Sequence, residues 1–420
     1  MSNSSPTASL TVGLERNARL YPWFQGSMAF EGWIPIFFLY FSSHLPLTQV
    51  IQLSVVYYAT VFILEVPSGY CSDRFGRRTT LLVAALCRIV ACAWFLGAGD
   101  FTAFAVAQIF MGAGSAFRSG GNTALHYDSL DGVGKAHDFA RREALAQRFS
   151  LTSLGLAALA GGVSGYLDLR VPYALTLLAS TASLAIALRF TEPVQRRDRA
   201  ASFTDNVTVC IRRLADPVLG GLFTLVVLMY ALEHVPFEFY QAYISVLERA
   251  DLSWLSSANS PLLSGAVIEI SMFGGVIGAS MSVRLADRIG LWGSLSCATS
   301  IQLLIILGLA TWLHPVCLAL VFARNLAGAL VHAPINAAIA PRVAQQQRAT
   351  YLSLQAMASK VGFGALLYAM SLQTGGAELD WPTLQSVLRI ALFVGVGAVA
   401  VLLAIRVPLT RTPRLSGAQR

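Results

Sequence analysis

The chain has 420 residues, of which 55% are apolar and 12% charged, with a mean hydropathy of +0.61. Soluble domains carry about 25% charged residues, so this composition excludes a water-soluble enzyme. A membrane-spanning helix takes about 20 apolar residues, and twelve of them leave too little chain for a second folded domain.

Taken in chain order, apolar runs broken by Gly, Pro or charge predict an all-α integral membrane protein with twelve spans. The first six lie near 21–42, 50–69, 79–97, 102–125, 145–167 and 171–190. The second six lie near 218–243, 262–284, 291–312, 316–340, 349–371 and 384–406. The polar start and the uninterrupted stretch from Tyr21-Pro22-Trp23 to Ser42 predict an uncleaved first span and not a signal peptide. The reading therefore divides the chain into an N-terminal six-helix half (1–190), a cytoplasmic linker (191–217) and a C-terminal six-helix half (218–420).

An internal repeat supports two halves. Asp73-Arg74-Phe75-Gly76 recurs as Asp287-Arg288-Ile289-Gly290, and Gly114, Asn122 and Ala124 recur as Gly328, Asn336 and Ala338, all at an offset of 214 positions. Ala29-Phe30-Glu31 with Pro35 resembles Ala231-Leu232-Glu233 with Pro236 at an offset of 202, which a longer loop between spans 7 and 8 explains.

The net charge of +8 raises the question of nucleic acid, but the placement of the bases answers it. With the N-terminus inside, 22 of the 30 Lys and Arg fall on the cytoplasmic side, two (Arg170, Arg249) fall outside and six lie within spans. That distribution orients a membrane protein, so both termini and the linker are expected in the cytoplasm, in a cell inner membrane, with no nucleic-acid partner. The six cysteines avoid the outer loops and imply no disulfide framework, and no His, Cys, Asp or Glu spacing points to a metal.

Between spans 2 and 3 stands Gly69-Tyr70-Cys71-Ser72-Asp73-Arg74-Phe75-Gly76-Arg77-Arg78. This segment resembles the loop 2/3 motif of the major facilitator superfamily, Gly-x-x-x-Asp-Arg-x-Gly-Arg-Arg/Lys, at every fixed position. The resemblance implies the twelve-helix facilitator fold and a gating role for Gly69, Asp73, Arg74, Gly76, Arg77 and Arg78. It also implies that Asp73 meets the amides at the start of helix 11, and that Asp128, at the inner end of helix 4, pairs with a motif arginine. The second copy, Asp287, Arg288 and Gly290, has Val283 for the leading Gly and Leu291-Trp292 for the final basic pair, and implies a weaker latch. The helix 4 end, Ser119-Gly120 to Ala124-Leu125-His126-Tyr127-Asp128-Ser129-Leu130, resembles a pattern in bacterial facilitators without naming a cargo. Helix 5 lacks the Gly-Pro pair of the antiporter motif, which argues against a drug antiporter.

Ionisable groups inside hydrocarbon are costly and mark pathways or internal pairs. Steps of four place Phe110, Gly114, Arg118 and Asn122 on one stripe, and Arg324, Gly328, His332 and Asn336 on its repeat mate. In the superfamily helices 1, 4, 7 and 10 line the central cavity, so the resemblance implies that these stripes face it together with Glu31 and Glu233. His234, Glu238, Glu269 and Lys360 complete the candidate proton and substrate set. Glu65, Arg88, Arg148 and Arg389 are expected to be structural. Gly274 and Gly278 predict a close helix contact, and Trp23, Trp254, Trp312 and Trp381 predict membrane interfaces.

These readings together predict a monomeric secondary carrier, not an enzyme, that moves a small solute through the bilayer by alternating access without a bound cofactor. Buried carboxylates favour proton coupling, and family frequency favours export. The alternative is a facilitator-like membrane sensor or assembly protein that no longer transports.

Overall fold

The computed structural model describes residues 6–194, 203–250, 260–339, 342–343, 345–374 and 379–406. Among the described residues there are fourteen α-helices and no strand: α1 (Pro6–Ala29), α2 (Phe37–Ser42), α3 (Leu47–Phe75), α4 (Arg77–Gly97), α5 (Phe101–Asp131), α6 (Phe139–Leu167), α7 (Val171–Leu188), α8 (Phe203–Arg213), α9 (Pro217–Arg249), α10 (Ser260–Thr311), α11 (Pro315–Val321), α12 (Arg324–Ile339), α13 (Gln345–Thr374) and α14 (Trp381–Ala404). Eight described helices are long and apolar enough to cross a membrane.

Each predicted span lies on this framework, with informative departures. Spans 1 and 10 are each broken in two, as α1–α2 and α11–α12. Spans 8 and 9 are one run, α10, kinked at Gly290, whose φ of 76° only glycine adopts cheaply. The expected linker holds a helix, α8, which packs against α13. The polar start is also helical from Pro6. The last two departures share a cause: short polar sequence forms a helix once a neighbouring helix covers one of its faces, and that is invisible in a hydropathy profile.

The chain forms two compact units: Met1–Leu45 with Leu53–Asp198 and Pro261–Gly265, and Pro46–Gln52 with Arg199–Ser260 and Ala266–Arg420. In the first, α1 packs on α6 and α7 while α4 packs on α5 and α7. Tyr21, Phe24, Met28, Leu81, Ala84, Leu125, Ala146, Ala187 and Phe190 fill its core. At the other end of α4, Tyr40, Phe41, Phe95, Phe104 and Tyr173 form an aromatic cluster, and the Tyr40 hydroxyl donates to the Phe95 carbonyl at 2.6 Å. In the second unit α9 packs on α12, α13 and α14.

Within lipid, helices gain little from the hydrophobic effect and associate through close packing of small residues and hydrogen bonds. Both breaks show this. Pro35 has no N–H, its ring crowds the preceding turn and it drives Ile34 out of helical geometry. The chain from Phe30 to Ile36 runs as turns, with Ile34 N donating to Glu31 O at 3.1 Å and Gly32 N to the Thr176 hydroxyl at 3.1 Å. A side chain at Gly161 of α6 would collide with the Gly32 carbonyl. In α9, by contrast, the helix continues through Pro236. The break at Phe322–Ala323 has a glycine partner too: side chains at Gly274 and Gly278 of α10 would strike the carbonyls of Phe322 and Leu326 at 2.7 and 2.5 Å.

Replacing Gly161 with Ala is therefore expected to destabilise the protein by about 1–3 kcal/mol, the usual cost of overpacking. Gly97→Ala, whose added methyl meets nothing within 4 Å, serves as the control. Melting temperatures of the two variants in detergent check this, and an equal temperature for both contradicts the contact.

Candidate functional site

In the first unit the loop motif closes on itself. Gly76, at φ 105°, ends α3 and starts α4, and a Cβ there would meet the Glu192 carboxylate at 2.7 Å. That carboxylate accepts from the amides of Arg77 at 2.6 Å and Arg78 at 2.8 Å. It satisfies two unpaired donors at the α4 N-terminus and complements the helix dipole. Arg77 also reaches Asp128 through Nε at 3.4 Å and the Ser72 hydroxyl at 2.9 Å, and Arg78 donates to the Leu188 carbonyl at 3.0 Å. The Arg74 guanidinium donates to the Tyr70 hydroxyl, on the exposed side of α3. Gly69 has no neighbour that a Cβ would meet. Asp73 ends in α3, and its side chain is outside the described residues.

Glu192 does not work alone. Asn17 of α1 accepts from Thr191 N at 2.8 Å and donates to Thr191 O at 2.7 Å and to the Ser129 hydroxyl at 2.9 Å. The Thr191-Glu192 strap thus ties α1 and α5 to the start of α4. An N-cap of this kind contributes about 0.5–2 kcal/mol. A second inner-rim network joins α1, α5 and α6: buried His126 lies 2.6 Å from Glu143 through Nδ1 and stacks on Tyr21 at 4.0 Å. Further out on the surface Glu15 accepts from Lys135 at 2.8 Å, and that bond holds its carboxyl below the usual range.

The helix 1 break carries the first unit's membrane-buried charges. Arg88 of α4, 2% exposed, donates to the Met28 and Phe30 carbonyls that the break releases and lies 3.6 Å from Glu31. Arg118 of α5 also donates to Met28 O, at 3.4 Å. Gly114, one turn before Arg118, gives Arg88 its room: a Cβ there would strike the Arg88 side chain at 2.8 Å. Asn122 is half-buried and accepts from Thr123 N at 2.6 Å. Ser119 donates to Glu65 at 3.4 Å.

In the second unit the corresponding carboxylate stands differently. Glu233 of α9 lies against Gly328 of α12, where a Cβ would meet its Oε2 at 2.5 Å, and among the described residues no base comes within 4 Å of it. Arg324, one turn before Gly328, is buried with its guanidinium 4.7 Å from the Phe237 ring centre. Gln302 of α10 donates to the Arg324 carbonyl at 2.8 Å, beside the helix 10 break. His234 turns back on its own helix, with Nδ1 2.8 Å from Tyr230 O and its ring stacked on Tyr230 at 3.8 Å. Glu238 is buried on α9, and Lys360 is half-buried on α13. Glu269 keeps one carboxylate oxygen buried without a hydrogen bond. His332 is exposed on α12, and the Asn336 side chain lies outside the described residues, as does Trp254. Asp287 and Arg288 are exposed before Gly290, and among the described residues a Cβ at Gly290 would touch nothing, so no described residue there is a counterpart of the Glu192 cap.

Two contributors escape a motif reading. Glu192 sits two residues past an apolar span among bases, and its acidic charge there is the signal. Gln302 is the repeat mate of Arg88 at the same offset of 214, and both donate to backbone carbonyls at a helix break.

No curated protein matches the chain in sequence. Its fold is similar to that of the nucleoside transporter NupG, with a TM-score of 0.73 at 12% identity over 94% of this chain and 99% of that one. It is also similar to the POT family transporter PepTSo, with a TM-score of 0.68 at 13% identity over 94% and 99%. A bacterial homolog of the lysosomal transporter Spinster, inward-facing and unoccupied, gives 0.61 at 12% over 97% and 96%. The family model of the Major Facilitator Superfamily matches residues 24–367, so the chain belongs to that superfamily and is a multi-pass membrane transporter.

Proposed function

We propose that the protein is a proton-coupled carrier of a small solute working by alternating access, with Glu233 as the carboxylate that gains and loses the coupled proton. The observation that carries this reading is the contrast between the two repeat-related acids. Glu31 has Arg88 at 3.6 Å to balance its charge, whereas the mate of Arg88 is the neutral Gln302 and Glu233 packs on glycine backbone. A carboxylate with a fixed counter-ion keeps its charge; one without is free to exchange a proton as its exposure changes. Arg118, Arg324 or Lys360 is the candidate to bind an anionic group on the cargo, and Arg77 with Asp128, Gly76 and Glu192 forms the gate support of the first unit. The absence of the Gly-Pro pair from helix 5 places the carrier apart from drug antiporters, and family frequency supports export.

The cargo is open to a thermal-shift screen of nucleosides, short peptides, sugars and organic acids, since a ligand of the folded state raises the melting temperature by mass action. With that solute in proteoliposomes, Glu233→Gln is expected to abolish accumulation driven by a pH gradient while keeping solute exchange at equal pH. Accumulation at the wild-type level in this variant refutes the assignment.

The distribution of bases supports the reading that both termini and the 191–217 linker lie in the cytoplasm of a cell whose inner membrane holds the protein. A single cysteine at position 198 in a cysteine-free background is expected to react only after permeabilisation. Labelling by an impermeant reagent in intact cells inverts the topology.

A further inference from the structure

Helices α6 and α7 form a hairpin closed by the short segment Asp168–Arg170. Toward the opposite end of that hairpin, where α1 fits against both helices, lies a cavity of about 630 Å³, in the range of small-molecule sites at about 300–1,000 Å³. Its walls are largely apolar: Leu145, Phe149 and Leu156 of α6, Ala182 and Ile186 of α7, and Trp23 of α1. Trp23 is exposed and meets Phe149 edge-on at 5.0 Å. An exposed indole on the first apolar turns of α1 marks the level of the membrane interface.

Ser27, Thr152 and Ser153 add hydroxyls to the lining, and one wall residue is charged. Arg148 of α6 is exposed three residues inside the apolar stretch that opens at Leu145. Among the described residues it has no hydrogen-bond or salt-bridge partner. A cation at that depth is tolerated when it reaches the interface or meets an anion. The three helices bring further bases to the same rim, with Arg19 one turn before Trp23, Arg142 at the start of α6 and Arg189 at the end of α7. Basic pockets between spanning helices recognise acidic lipid head groups. An amphiphile with a phosphate at Arg148 and a hydrocarbon chain along the groove satisfies both the lone charge and the apolar walls.

We propose that this groove binds one acidic phospholipid, its phosphate on Arg148 and one acyl chain between α6 and α7 over α1. The lipid then joins three of the helices that build the first unit's core. The test uses purified full-length protein in detergent, with melting temperature read against added phosphatidylglycerol or phosphatidylcholine of the same chains. Wild type is expected to be raised further by phosphatidylglycerol. Arg148→Gln is expected to lose that preference while keeping the response to phosphatidylcholine, Arg148→Lys to keep it in part, and Ala182→Trp, which fills the groove, to lose the response to both. Glycerol phosphate, which has the head group without a chain, is expected to give no shift. Equal shifts with both lipids in wild type overturn the site, as does a preference that survives Arg148→Gln. A full effect from glycerol phosphate overturns it as well, since that assigns a bare anion site.

Discussion

A backbone carbonyl inside hydrocarbon must find a donor, because there is no water to supply one. Most of this chain meets that demand by being helical. At residues 30–36 and 322–323 it does not, and the rest of the charged architecture follows from how the released carbonyls are satisfied. In the first unit the donor is Arg88, a full charge brought into the bilayer, with Arg118 as a second. In the second, the neutral Gln302 donates to the carbonyl of Arg324, the first residue of the helix after the break. A buried charge requires a counter-charge, so Arg88 brings Glu31 with it. Gln302 requires none, and among the described residues Glu233 has no ion pair within 4 Å, with Arg324 acting on it only at longer range. A difference of one side chain between repeat mates thereby sets two similar acids in different surroundings.

The breaks also set where glycine is needed. Gly161 lets α6 approach the Gly32 carbonyl, Gly114 makes room for Arg88, and Gly274 and Gly278 admit the backbone of the helix 10 break. In lipid such contacts carry much of the packing energy, so the glycines and the breaks are one structural device. At the inner rim the same logic appears in a solvated setting. The orphan amides at the α4 N-terminus are met by Glu192, and Gly76 supplies both the left-handed turn and the space for that carboxylate.

Much of this was legible in the sequence. Hydropathy pointed to an all-α membrane protein, because the bilayer fixes both the length and the polarity of a crossing helix, and the ten-residue loop motif together with the repeat at an offset of 214 pointed to the superfamily. Pro35 marks the break in helix 1, whereas α9 stays helical through Pro236. The break in helix 10 has neither proline nor glycine at Phe322–Ala323; the glycines that admit it are on α10, about fifty residues earlier, and only tertiary packing reveals them. Helix α8 was hidden for a similar reason, since its partner α13 lies far along the chain. Arg88 was read as structural from its helix alone. That it holds the broken helix, with Glu31 as its counter-ion, depends on contacts between helices distant in sequence.

The most direct test of this account is a double substitution that makes the first unit resemble the second. If Glu31 serves only to balance Arg88, then Glu31→Gln alone strands a buried arginine and cripples pH-driven transport. Replacing Arg88 with Gln as well supplies a neutral donor, as Gln302 does. The quantity to measure is solute accumulation driven by a pH gradient in proteoliposomes for the single and the double variant. The account predicts substantial recovery in Glu31→Gln/Arg88→Gln over Glu31→Gln. A double variant as inactive as the single one, with normal folding and normal exchange at equal pH, would show that Glu31 itself carries the proton.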